Sequence, residues 1–156
     1  METKEEMTQR EEDVQKGKYL TFFLGDESYA IDIEFVTEII GIQAVTYVPE
    51  LPEYIKGIIN LRGKIIPIMD VRARFRKEPR DYNERTSIIV IDIRDLSIGL
   101  IIDTVSEVID IPEKDIAPPP QFSKEYGHHY IQGVAKVENG IKLLLDCEKL
   151  ISLDEE

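Results

Sequence analysis

Tryptophan is absent, cysteine occurs once and histidine twice in the 156 residues of the chain. A single cysteine, Cys147, excludes an intramolecular disulfide and a thiolate zinc cluster, in keeping with a reducing compartment. His128 and His129 are adjacent, so on a strand they point to opposite faces and cannot share a metal; a surface loop is their expected place. Positive charge is also short. Nineteen Lys and Arg face 31 Asp and Glu, and the net charge of −12 opposes binding to nucleic acid or to an anionic membrane. No uninterrupted apolar run approaches the ~18 residues of a membrane span. The opening stretch METKEEMTQREEDVQKGK lacks the apolar centre of a signal peptide, so the expected address is the cytoplasm. GxSxG, a glycine-rich phosphate cradle and HExxH are missing as well. Carboxylates abound, but so many of them form chance pairs everywhere and do not single out a glycosidase. Neither a cofactor nor a metal is expected.

What the chain does contain is a repeat. YIKGIINLRGKIIPIMD (54–70) and YIQGVAKVENGIKLLLD (130–146) align at a constant offset of 76, which pairs Tyr54 with Tyr130, Gly57 with Gly133, Ile65 with Ile141 and Asp70 with Asp146. SYAIDIEFVTEII (28–40) aligns with SIGLIIDTVSEVI (97–109) at an offset of 69, pairing Ser28 with Ser97, Val36 with Val105 and Glu38 with Glu107. The two segments keep their order in both halves, as a tandem duplication of one β-rich unit would. Paired units leave a groove between them.

Residues 1–16 are charged and without apolar period, and are expected to form a flexible tail. YLTFFL, Gly25-Asp26-Glu27 and SYAIDI predict a hairpin. Phe35, Val36, Ile39 and Ile40 then fall at helical spacing, predicting one or two helical turns over 34–40 that end near Gly41. AVTYV (44–48) reads as a strand stopped by Pro49. Two apolar strands flanking Leu61-Arg62-Gly63 predict a second hairpin with Gly63 in the left-handed region, and a short helix is expected over 70–75. The second half repeats this plan: a turn at Arg94-Asp95-Leu96, a short helix near 103–108, the Pro118-Pro119-Pro120 loop running to His129, a turn at Glu138-Asn139-Gly140 and a helical turn over 148–151. The expected fold is all-β: two pseudo-repeated five-stranded barrels with short helices, residues 17–82 and 83–153. Whether each half closes on itself or exchanges strands with the other is open at this level.

The segment PEYIKGIINLRGKIIPIMDVRARF (52–75), with YLTFFLGDESYAIDIEFVTEI before it and SIIVIDI, SIGLIIDTVSEVI and YIQGVAKVENGIKLLLDCEKL after it, closely resembles the CheW-like coupling proteins of bacterial chemotaxis. The similarity runs from about Lys18 to Leu150, and Lys56, Gly57, Asn60, Leu61, Arg62 and Gly63 together make it specific. Arg76-Lys77 departs from the family, which tends to carry glycine there. The resemblance implies SH3-like barrels and a non-catalytic adaptor, cytoplasmic and recruited to membrane-associated receptor arrays through its partners. Those implied partners are the cytoplasmic tip of a chemoreceptor (a methyl-accepting chemotaxis protein) and the regulatory domain of the histidine kinase CheA. The implied receptor-binding positions are Val36, Glu38, Ile39 and Arg62, in or near the groove between the barrels. Gly57, Gly63 and Val108 are weaker candidates for kinase binding, since each glycine has a ready backbone explanation. Glu138 stands in the second copy where Arg62 stands in the first.

Two other readings compete. A small barrel could bind nucleic acid through the basic stretch Arg72, Arg74, Arg76, Lys77, Arg80 and Arg85, although only Phe75 and Tyr82 are at hand for base stacking. An enzyme working through carboxylates would need two of them converging in a deep polar pocket.

Overall fold

The computed structural model describes residues 3–7, 16–119, 129–138 and 140–152. Among the described residues from 16 onward, eleven strands and two short helices follow in chain order: β1 (Lys18–Leu24), β2 (Glu27–Asp32), β3 (Val36–Gly41), β4 (Ile55–Leu61), β5 (Lys64–Asp70), α1 (Val71–Arg74), β6 (Ser87–Ile93), β7 (Leu96–Ile102), β8 (Thr104–Asp110), β9 (Ile116–Ala117), β10 (Ile131–Val137), β11 (Gly140–Leu145) and α2 (Cys147–Ile151). Asp70 and Asp146, paired by the repeat, cap α1 and α2 by accepting the N–H of Ala73 and Lys149. Within the segment read as a tail, residues 4–7 make one helical turn capped by Thr3. The proline loop beyond Pro119, with His128, and Asn139 of the last turn lie outside the described residues.

The strands form two SH3-like barrels, with sheet orders β8-β1-β2-β11-β10-β9 and β3-β6-β7-β5-β4. The sheets do not follow the halves of the chain. One barrel is contiguous, β3 to β7, and is inserted into the other, which is assembled from β1, β2 and β8 to β11. A division at 82/83 therefore falls between β5 and β6, inside the inserted barrel. The opening hairpin of each half, β1–β2 and β6–β7, packs into the sheet of the opposite half. The repeat survives in the register: Ile68 faces Gly99 in the parallel pair β5–β7, and their counterparts Leu144 and Ala30 face each other in β11–β2.

Two predicted helices are strands. Residues 34–40 give a 3-10 turn, Ile33–Phe35, and then edge strand β3; residues 103–108 run into edge strand β8. A register shift between Val36 and Glu38 resets the alternation of β3, and an apolar pattern reset by one residue imitates helical spacing. The predicted strand over 44–48 contracts to one bridge, Thr46 to Ile58, whose counterpart in the enclosing barrel is the two-residue β9 on β10. Gly57 permits this crossing: at φ +146, a Cβ there would lie 2.0 Å from the Thr46 carbonyl oxygen.

Alternation along β6 explains how one chain fills three cores. Ile88 and Val90 point into the inserted barrel with Ile59, Ile66, Ile68 and Ile101, whereas Ile89, Ile91 and Ile93 point out of it into a cluster shared by both barrels. Leu20, Phe22, Leu24, Tyr29 and Ile31 meet them there from the enclosing barrel, together with Phe75, Tyr130 and Leu150. The third core, inside the enclosing barrel, rests on Ala30, Ile111, Ala135 and Leu144. Because the shared cluster belongs to neither barrel alone, the two should unfold together. Ile91→Ala in that cluster is expected to cost about 2–5 kcal/mol and to leave a single transition in urea. Two separated transitions in the native chain, followed by fluorescence and circular dichroism, would contradict a shared core.

Candidate protein-docking site

Arg62 and Gly63 form the two-residue turn between β4 and β5, with φ of +52 and +86, the double positive φ of a type I′ hairpin. The Asn60 side-chain oxygen accepts the Gly63 N–H at 2.8 Å and fixes the turn. From it the Arg62 guanidinium donates two parallel hydrogen bonds to the carboxylate oxygens of Glu38, both at 2.6 Å. Glu38 lies on β3 and Arg62 follows β4, the two edges of the sheet, so the ion pair spans the seam of the inserted barrel. Hydrogen bonding to Arg62 holds the Glu38 carboxyl below its ordinary range and raises the guanidinium in return. With side-chain exposures of 69% for Arg62 and 28% for Glu38, the pair stands in solvent; it sets the geometry of the rim and adds little to stability.

The predicted receptor positions share one locality. Val36, Glu38 and Ile39 are all on β3, and Arg62 joins them through Glu38. Val36 packs against the shared core, while Ile39 is 44% exposed beside the ion pair on the strand. None of the four lines the opening at the junction of the barrels, a pocket of about 600 Å³ walled by Tyr54, Lys56, Arg72, Arg74, Arg76 and Tyr130. The four positions therefore gather along the rim of one barrel, away from that opening. The kinase candidates are divided: Gly57 is buried beneath Thr46, Gly63 shares the turn with Arg62, and Val108 lies on β8 of the enclosing barrel, 52% exposed. Ile65 and Ile141, not among the predicted site residues, are 56% and 59% exposed. Their pairing by the repeat signals them, and Ile39 and Val108 are paired in the same way.

The basic stretch is largely committed inside the molecule. Arg72 donates to both oxygens of Asp103, at 2.8 and 2.6 Å, and Arg80 donates to one of them at 2.9 Å. Lys77 pairs with Glu27. Arg74 is buried, donates to the carbonyls of Lys149, Leu150 and Ser152, and lies over the rings of Tyr54 and Tyr130 at 4.2 and 4.9 Å. Phe75 is buried, which withdraws it from base stacking; Tyr82 is exposed, with its hydroxyl donating to Asp70. Asp103 also accepts the Gly25 N–H at 2.7 Å, tying the β1–β2 turn of one barrel to α1 beside the other. Burial alone would raise the Asp103 carboxyl, but the Arg72 hydrogen bonds, the Gly25 N–H and the charges of Arg72 and Arg80 outweigh it and leave it lowered. The Cys147 thiol, buried among these elements, is pushed up to about 12 by burial and then by Asp146, far from a nucleophile's range.

Comparison with known proteins places this architecture. The model of the CheW-like domain matches residues 18–155. The chain belongs to the CheW-like domain family. Chemotaxis protein CheW of Klebsiella aerogenes is 38% identical over 138 residues, covering 88% of this chain and 83% of that protein. Chemotaxis protein CheW of Treponema pallidum is 36% identical over 140 residues, with 87% and 82% covered. The crystal structure of the scaffolding protein TtCheW from Thermoanaerobacter tengcongensis superposes with a TM-score of 0.82 at 36% identity, over 90% of this chain and 95% of that one. Among the described residues of this CheW-like chain, no helix is long and apolar enough to cross a membrane.

Two outcomes follow from the geometry. Gly63→Val puts a β-branched residue at φ +86 and should destabilise the fold by about 1–3 kcal/mol, read as a lowered midpoint of thermal melting. Asp103, with its folded pKa below the ordinary 3.8, stabilises the fold above that value and loses the contribution as pH falls through the folded pKa. Asp103→Asn should therefore be less stable at neutral pH and lose less on acidification below about pH 5. Parallel acid titrations of stability in the two proteins would expose a wrong sign.

Proposed function

We propose that this chain is a non-catalytic chemotaxis adaptor that holds the cytoplasmic tip of a chemoreceptor to the regulatory domain of the kinase CheA. What carries the reading is the bidentate Arg62–Glu38 pair set on a barrel rim beside the exposed Ile39, in a member of a family whose relatives are named chemotaxis and scaffolding proteins. A receptor helix laid against this rim would cover Ile39, and one arginine of fixed orientation would set its register. Val108, exposed on the other barrel, is available to a second partner at the same time, as a coupling protein requires. Gly57 and Gly63 support the kinase contact indirectly, by shaping the strand and the turn. Such a protein works in the cytoplasm and reaches receptor arrays through its partners, without inserting into the membrane.

Arg62→Ala should leave the thermal melt nearly unchanged and weaken binding to a receptor-tip fragment about tenfold or more. A pull-down with unchanged affinity would remove Arg62 from the receptor contact. The nucleic-acid reading has four cations of its six-residue stretch held by Asp103, Glu27 and backbone carbonyls. Salt-sensitive retention on a single-stranded DNA column would revive it.

A further inference from the structure

The duplication provides an internal comparison of the two rims. On the inserted barrel, Lys64 donates to the Ser97 hydroxyl at 2.6 Å, Ser97 donates to Asp92 at 2.5 Å, and Arg62 is forked onto Glu38. The offsets of 69 and 76 put Ser28 and Glu107 of the enclosing barrel where Ser97 and Glu38 stand, but Glu138 in place of Arg62, Gly140 in place of Lys64 and Phe23 in place of Asp92. The glutamate is retained and its cation is gone. At that point the enclosing barrel has an opening of about 440 Å³ lined by Phe23, Asp26, Ser28, Ser106, Glu107 and Ile141. Lys142 enters from the wall, buried, with its ammonium bonded to the Ser28 hydroxyl at 2.9 Å and over the Phe23 ring at 5.7 Å; it makes no ion pair with Glu107. Glu27 is occupied by Lys77 and by the Tyr29 hydroxyl. Among the described residues the side chains of Asp26 and Glu107 have no partner.

We propose that this opening is a docking site for an arginine side chain of a protein partner, whose guanidinium takes on Glu107 the place that Arg62 takes on Glu38. Arginine fits better than lysine because the template is a planar fork on two carboxylate oxygens, which an ammonium does not reproduce. A protein fits better than a free cation because Ile141, counterpart of the exposed Ile65, lines the same opening at 59% exposure and needs apolar cover, and Val108, counterpart of the exposed Ile39 and next to Glu107 in β8, is 52% exposed. The occupant is then a segment that carries an arginine beside apolar residues, and the excess of Asp26 and Glu107 over Lys142 draws its positive charge.

The inference takes its partners from the adaptor reading, so its test has one arm that depends on that reading and one that does not. Glu138→Arg rebuilds in the enclosing barrel the cation of the inserted one, fills the opening from within and should block an incoming arginine; Glu107→Gln removes the acceptor. In the first arm, full-length chain and both variants are titrated onto the CheA regulatory domain and onto a receptor-tip fragment, with melts to check folding. Both variants should lose at least tenfold in affinity for one partner and stay within twofold for the other. Unchanged affinity for both partners, or equal loss for both, overturns the site. In the second arm, ¹⁵N-labelled chain is titrated with N-acetyl-arginine amide. Saturable shifts at Ser106, Glu107 and Ile141 that vanish in Glu107→Gln support the site, and shifts indifferent to that substitution overturn it. Should native chain bind neither fragment, the adaptor reading fails and the arginine titration alone decides the site.

Discussion

The shared apolar cluster between the barrels is the constraint on which the rest of the structure depends. Ile89, Ile91 and Ile93 from one sheet and Leu20, Phe22 and Leu24 from the other are buried there because each half of the chain sends its opening hairpin into the opposite barrel. A strand covered on both faces must be apolar on both, which is why β6 and β7 are nearly continuous apolar runs. Once that cluster is formed the relative placement of the barrels is fixed, and the rims, turns and edge strands become the surfaces left for partners.

Duplication gave two rims with one backbone plan and different side chains. The inserted barrel closes its own seam with Arg62 and Glu38 and its own mouth with Lys64, Ser97 and Asp92. The enclosing barrel keeps Ser28 and Glu107 but has no counterpart of Arg62, Lys64 or Asp92, and Lys142 reaches Ser28 instead, leaving an acidic opening lined by Ile141. Exposed apolar residues recur at equivalent places on both barrels, Ile39 with Val108 and Ile65 with Ile141, so the two rims are related surfaces of different charge. An adaptor needs such a pair: two faces that do not compete for the same partner.

Electrostatics assigns the basic stretch a different role from the one its composition suggests. Asp103 gathers Arg72, Arg80 and the Gly25 N–H at the point where the chain passes from the inserted barrel to the enclosing one. In the other half, Arg94 of the β6–β7 turn, at the position of Gly25, pairs with Glu148 of α2, at the position of Arg72, at 2.8 Å. Cations spent on fastening turns to helices are not available to phosphates.

Much of this was legible in the residues. The repeat, the hairpin turns at Gly25 and Arg62-Gly63, the short helices near 70–75 and 148–151, and the all-β class follow from local rules of turn chemistry and spacing, which act over a few residues. Segments from about Lys18 to Leu150 pointed to the family, and the core around Lys56 to Gly63 made the resemblance specific. Tertiary structure decided what depends on long-range pairing. It made residues 34–40 and 103–108 edge strands where a register shift counterfeits helical spacing, and it reduced 44–48 to a single bridge over Gly57. It also assigned each hairpin to the opposite barrel, buried a core between the two, and brought Glu38 to Arg62 across a seam. A sequence records which residues prefer burial and which prefer turns; which distant strand covers them is settled by packing, because only the assembled core distinguishes one apolar face from another.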